Sequence, residues 1–207
     1  MGIPVLILGE SGSGKSSSLR NFEETEIGIF NVASKPLPFR KKLRSVNNAN
    51  YQIILKTLAK PTMKAYAIDD SQYLMAFASF DRAKETGYGK FTDFAVDFRN
   101  LIKFIVEHTP PDCIVYFLHH TETTETGRVK AKTIGKMLDS QLTLEGLFSI
   151  VLLAETSRDG GYKFITQSDG FTTAKSPMDL FEREIENDLK FVDTAIREYW
   201  QLGKEEN

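Results

Sequence analysis

Short apolar runs alternate with longer amphipathic stretches through most of the chain. Residues 3–8, 65–68, 113–118 and 148–154 are almost wholly apolar, and residues 26–32 carry Ile27, Ile29, Phe30 and Val32. Runs of this length, without polar alternation, suit strands buried on both faces of a parallel sheet. Between them the period changes. Residues 51–60 place Ile54, Leu55 and Leu58 on one helical face before Pro61 stops the helix. A second helix, with Ser71 as its cap, carries Tyr73, Leu74, Phe77 and Phe80 towards Glu85. A longer one over 91–107 aligns Phe94, Phe98, Leu101, Ile102 and Ile105, and Pro110 and Pro111 close it. Further helices are predicted over 134–147 and near the end, where Leu189, Val192, Ile196 and Tyr199 share a face.

The connections have their own signals. Residues 35–50 read as a Pro-punctuated basic loop with a turn at Asn47-Asn48. Residues 121–133 are polar and aperiodic, which predicts a mobile loop. Asp159-Gly160-Gly161 predicts a hairpin turn into 162–166. Strands alternating with helices predict an α/β fold with a mostly parallel sheet, finished by a C-terminal antiparallel hairpin. In such a sheet, ligands bind at the carboxyl ends of the strands.

The first apolar run ends in Gly9-Glu10-Ser11-Gly12-Ser13-Gly14-Lys15-Ser16. This fits G-x-x-x-x-G-K-[ST] at every specified position, between a strand and a segment (16–22) able to open a helix. Glycines at 9, 12 and 14 permit backbone angles and close approach that a side chain forbids, so loop N–H groups converge on phosphate oxygens. A following helix would aim its positive end at the same anion. Lys15 supplies charge to the β- and γ-phosphates, and the Ser16 hydroxyl is a ligand for Mg²⁺. Ser17 completes the phosphate-binding stretch. The expected cofactors are therefore ATP and Mg²⁺.

Other strand ends add polar groups. Asp69 follows the run 65–68 and is the expected second anchor for magnesium, with Asp70 beside it as a candidate for polarising the attacking water. His119 and His120 end the run 113–118, and His120 is the favoured sensor of a γ-phosphate. Basic residues fall in two places. Arg40, Lys41 and Lys42 lie in the 35–50 loop with Phe39, and Tyr51 follows, a pairing of charge and aromatic rings that suits single-stranded nucleic acid. Arg128, Lys130, Lys132 and Lys136 follow His120, and Lys175 follows the hairpin; these are candidates for nucleic-acid or inter-subunit contacts.

Composition narrows the class. The 207 residues are 41% hydrophobic and 26% charged, as expected of one globular domain over 1–207. No apolar run has the length of a membrane span, and the start lacks the pattern of a signal peptide. Leu6 stands where a myristoylation signal has Ser or Thr. A single cysteine, Cys113, fits a reducing cytoplasm. Net charge is −2, which argues against a wholly basic nucleic-acid binder while leaving room for local patches.

GESGSGKSSSLRN, NVASKPLPF, AIDDSQYLMA, FLHHTET, KTIGKMLDSQLTLEGLF and TAKSPMDLFE together resemble the single-domain RecA-like ATPases of bacteriophages, including the Sak-group recombination and strand-annealing proteins. The resemblance spans nearly the whole chain. It implies a three-layer RecA-like P-loop core and ATP-dependent handling of single-stranded DNA in phage recombination, in the host cytoplasm. It also implies self-assembly and work beside a single-strand DNA-binding protein. Lys15, Ser16, Asp69 and His120 match the family's nucleotide, magnesium and sensor positions, and Lys175 its basic inter-subunit finger. One position departs. RecA carries a catalytic glutamate where this chain reads Asn31-Val32-Ala33-Ser34, so Asp70 or Glu122 would have to substitute. Two rival functions remain: a nucleotide-gated adaptor with little hydrolysis, and a nucleoside or nucleotide kinase, for which the polar loop offers only Arg128 as a lid arginine.

Overall fold

The computed structural model describes residues 1–87, 89–134, 143–157 and 159–203. Six strands form a parallel core: β1 (Ile3–Gly9), β2 (Ile27–Asn31), β3 (Arg44–Asn47), β4 (Ala65–Asp69), β5 (Ile114–Thr123) and, after β6 (Val129–Ala131), β7 (Ile150–Thr156). β8 (Tyr162–Ile165) and β9 (Glu184–Glu186) extend the β7 edge antiparallel, giving the order β3-β2-β4-β5-β1-β7-β8-β9. The fold is thus mixed α/β with a mostly parallel nine-stranded sheet. As expected, Gly160 (φ 83°) turns the chain between β7 and β8.

The apolar runs are continuous because both faces of the sheet are covered. On one face Leu6, Leu8, Ile68, Val115 and Phe117 pack against α1 (Tyr51–Leu58), α2 (Gln72–Asp81) and α3 (Gly89–His108) through Ile54, Leu58, Met75, Phe98, Ile102 and Ile105. On the other, Val5, Ile7, Ala67, Tyr116, Leu118 and Leu152 meet Leu19, Phe22 and α4 (Leu189–Tyr199), which contributes Leu189, Val192 and Ile196. Neighbours in each strand alternate between the two cores. Among the described residues no helix is long and apolar enough to cross a membrane.

Several expectations change. The segment 16–22, read as able to open a helix, does so as a six-residue 3-10 helix, Ser16–Asn21. Three consecutive serines favour side-chain bonds to the backbone over helix propagation, and Ser18 Oγ donates to the Lys15 carbonyl. Ser71 does not cap α2; its hydroxyl faces Leu118 O and His119 Nδ1. The 35–50 loop contains the edge strand β3, whose exposed polar residues hide its strand character. Residues 121–133 are not a mobile loop: β5 runs on to Thr123 and pairs antiparallel with β6. Tyr199 is exposed, so it leaves the buried face of α4. The predicted helix over 134–147 lies outside the described residues except for its ends, where Leu144–Leu147 forms a 3-10 turn.

Candidate active site

β1 lies between β5 and β7, and its last residue, Gly9, is in register with His120 of β5. Beyond β5 stands β4, ending in Asp69. The phosphate loop, both aspartates and His120 therefore meet at one edge. They line a cleft of about 260 Å³ together with Lys35 and Tyr162.

The loop has the backbone its glycines imply. Gly12 (φ 84°) and Gly14 (φ 92°) are left-handed, and Lys15 follows in right-handed helical conformation. Alternating handedness of this kind turns successive N–H groups to one side, the basis of an anion nest. Gly9 has a steric requirement: a Cβ there would fall 2.3 Å from Ser13 Oγ. At Gly14 a Cβ would fall 2.7 Å from the ring of Tyr162, so a residue of β8 packs directly on the loop. Lys15 is 6% exposed, and its ammonium donates to Gly9 O and Glu10 O, both at 2.7 Å. Burial lowers its pKa to about 8, although Asp70 and Asp69 pull in the opposite direction. Glu10, Ser11 and Gly12 are exposed, Ser13 is buried, and Ser16 and Ser17 are half-buried beside Lys15.

Ser16 Oγ donates to Asp69 Oδ1 at 2.7 Å, closing a contact between residues 53 apart in the chain. Asp69 is buried, which raises its pKa. The Ser16 hydrogen bond opposes that rise, and the Asp70 charge adds to it. Hydroxyl and carboxylate are hard oxygen donors, so this pair fits Mg²⁺ by its chemistry. Among the described residues, no three His, Cys, Asp or Glu side chains gather as a self-sufficient metal site.

Asp70 has a left-handed backbone (φ 59°), an uncommon conformation for a residue with a side chain. Its Oδ2 pairs with Lys35 Nζ at 2.6 Å, and its Oδ1 accepts from His120 Nε2 at 3.1 Å. Burial alone would raise the pKa of Asp70; hydrogen bonds from His120 and Lys35 outweigh it and hold the carboxyl below its usual value. The neighbouring His119 has a different role. It is fully buried, with Nε2–H donating to Lys132 O at 2.8 Å and Nδ1 facing Ser71 Oγ at 2.9 Å. Burial pushes its pKa down to about 4, so it is a neutral brace between β5, the start of α2 and the residue that follows β6. Alternation along β5 decides which histidine faces the cleft.

The basic candidates are scattered. Lys41 is tied to Phe22 O and Glu23, whereas Arg40 and Lys42 are exposed. Phe39 packs against the second core and the Tyr51 hydroxyl is buried, so neither offers an open ring for base stacking. Arg128 and Lys132 are exposed at the β5–β6 hairpin, and Lys130 pairs with Glu122 across it at 3.0 Å. Lys175 bonds through its backbone to Val151, near the start of β7 and away from the cleft. Lys35 and Tyr162 were not singled out as site residues by the motifs. Position in the sequence alone gives them no signal, because Lys35 reaches the cleft from the connection after β2 and Tyr162 from the start of β8.

No protein-family model matches this chain, and no curated protein matches it.

Proposed function

We propose that this protein is a RecA-like P-loop ATPase that hydrolyses ATP to ADP and phosphate and acts on single-stranded DNA. One observation carries the reading: Ser16 of the phosphate loop and Asp69 of β4, far apart in sequence, meet at 2.7 Å beside Lys15. A chance glycine turn has no reason to find that carboxylate. Loop N–H groups and Lys15 bind the β- and γ-phosphates. Mg²⁺ held by Ser16 and Asp69 would neutralise charge on the phosphate oxygens. Asp70 orients the attacking water, and His120 senses the γ-phosphate from the adjacent strand.

The DNA part of the reading rests on the resemblance and on Arg128 and Lys132, which are exposed on the hairpin just past His120. Self-assembly follows from the same resemblance. The test is multiple-turnover phosphate release with and without single-stranded DNA, in the parent and in Lys15→Ala. DNA-stimulated release, abolished in the variant, is expected. Release that ignores both the DNA and the substitution overturns the proposal, whereas tight ATP binding without release selects the adaptor reading.

A further inference from the structure

The chain lacks an acid at 31–34, where a RecA-type enzyme carries its glutamate, and the structure shows what these residues do instead. Asn31, buried at the end of β2, grips the backbone of Lys35 at both polar groups: its Nδ2 donates to Lys35 O at 2.7 Å and its Oδ1 accepts from Lys35 N at 3.2 Å. Ser34 takes a left-handed turn (φ 55°), and its Oγ accepts from Asn48 N at 2.7 Å and donates to Asn48 Oδ1 at 2.8 Å. The connection after β2 is therefore pinned at Ser34 and at Lys35 itself.

The pinned lysine reaches Asp70. Lys35 Nζ takes one carboxylate oxygen and His120 takes the other, which fixes the plane of the carboxylate. The Tyr73 ring approaches both donors. Lys35 Nζ lies 5.4 Å from its ring centroid, and the ring meets His120 edge-on at 5.6 Å. A lysine side chain that is 57% exposed contributes little stability through a surface pair. Clamping its backbone with a buried asparagine and opposing it to a carboxylate held at positive φ is an arrangement for aim. Strained backbone of this kind is characteristic of functional sites.

Resting on the ATPase reading, we propose that Lys35 is a positioning residue for hydrolysis, holding the Asp70 carboxylate on the attacking water. In the step it serves, the water oxygen bonds to the γ-phosphorus as the bond from that phosphorus to the β–γ bridging oxygen breaks. The electron pair of the broken bond leaves with ADP. One water hydrogen stays on the new phosphate, and the other transfers as a proton to a phosphate oxygen. Lys35 touches none of the reacting atoms and acts through Asp70.

The experiment compares the parent, Lys35→Ala, Lys35→Arg, Asp70→Asn and the Lys35→Ala/Asp70→Asn double variant. Steady-state phosphate release and the affinity for a fluorescent ATP analogue are both measured. In Lys35→Ala, kcat is expected to fall about 10-fold or more while KM and analogue affinity stay within about 2-fold. Lys35→Arg recovers part of the loss. In the Asp70→Asn background, Lys35→Ala has no further effect, because both act on one group. Parent-like kcat in Lys35→Ala, loss of analogue binding in step with turnover, or independent effects in the double variant each overturn the proposal. The two readings fail differently. A parent without ATP turnover sinks the ATPase reading and this proposal together, whereas an active parent with an equally active Lys35→Ala sinks this proposal alone.

Discussion

Buried charge sits at both ends of the parallel sheet, and the two ends handle it differently. At the amino end, Asp193 of α4 accepts from the buried Tyr116 hydroxyl at 2.9 Å and from Arg197 Nε at 2.7 Å. Arg197 goes on to the carbonyls of Asp112 and Lys64, just before β5 and β4, at 2.8 Å each. Every one of these bonds closes on the protein itself. At the carboxyl end Asp69, Asp70 and Lys15 are as well buried, but they face a cleft, and the backbone around them includes positive φ at Gly14, Ser34 and Asp70. Similar chemical groups thus serve as a fastener at one end and line an open cleft at the other. What distinguishes them is whether a solute can compete for the bonds.

That contrast can be broken most forcefully from the structural side. Asp193→Ala leaves the buried Tyr116 hydroxyl without its acceptor and the half-buried Arg197 with only the carbonyls of Asp112 and Lys64, and should cost about 3 kcal/mol in urea unfolding, with ATP affinity of the folded fraction unchanged. Lys15→Ala should do the reverse: turnover falls by about 10²- to 10³-fold while the unfolding midpoint barely moves. If Lys15→Ala proves as destabilising as Asp193→Ala, the distinction between the ends is wrong.

His119 gives a third, pH-dependent probe. Its folded pKa is about 4, below the ordinary 6.5, so between these values the unfolded chain binds a proton that the folded chain refuses. Stability from this group is complete above about 6.5 and is lost as pH falls, by about 2 kcal/mol on reaching pH 5. Denaturant midpoints at pH 7 and pH 5 for the parent and His119→Gln should show a steeper acid loss in the parent; parallel losses would remove His119 as the cause. The smallest expected effect is Tyr116→Phe, which drops one hydrogen bond while Arg197 still satisfies Asp193. It should cost about 1 kcal/mol and leave ATP turnover within error.

Much of the core was legible because burial on both faces writes itself as uninterrupted apolar sequence, as in residues 113–118. The phosphate loop and Asp69 were legible because their chemistry is local to a strand end. The edges were not. β3 is exposed and β9 has a single half-buried apolar residue, Ile185, so Arg44-Ser45-Val46-Asn47 and Glu184-Ile185-Glu186 carry too little apolar pattern to show as strands. β5 outruns its apolar stretch because His119 to Thr123 continue above the core, where β6 supplies the partner. The place of Lys35 at the cleft is hidden within the basic stretch 35–44 for a related reason. Its use depends on Asn31 gripping its backbone and on Asp70 arriving from another strand, neither of which is a property of the KPLPFRKKLR segment.

The 3-10 helix behind the phosphate loop has one further consequence. Arg20 donates to Asn187 O, Asn21 to Asp188 at 2.8 Å, and Lys190 reaches back to Glu26 at 2.7 Å. Residues 20–26 are therefore shored up by residues 187–190, which are synthesised much later. A nascent chain halted near residue 180 would carry the complete glycine motif yet lack this buttress, and its grip on ATP should be correspondingly loose when measured on the stalled product. On the proposed ATPase reading, full affinity for ATP would then arrive only once residues 187–190 have been added.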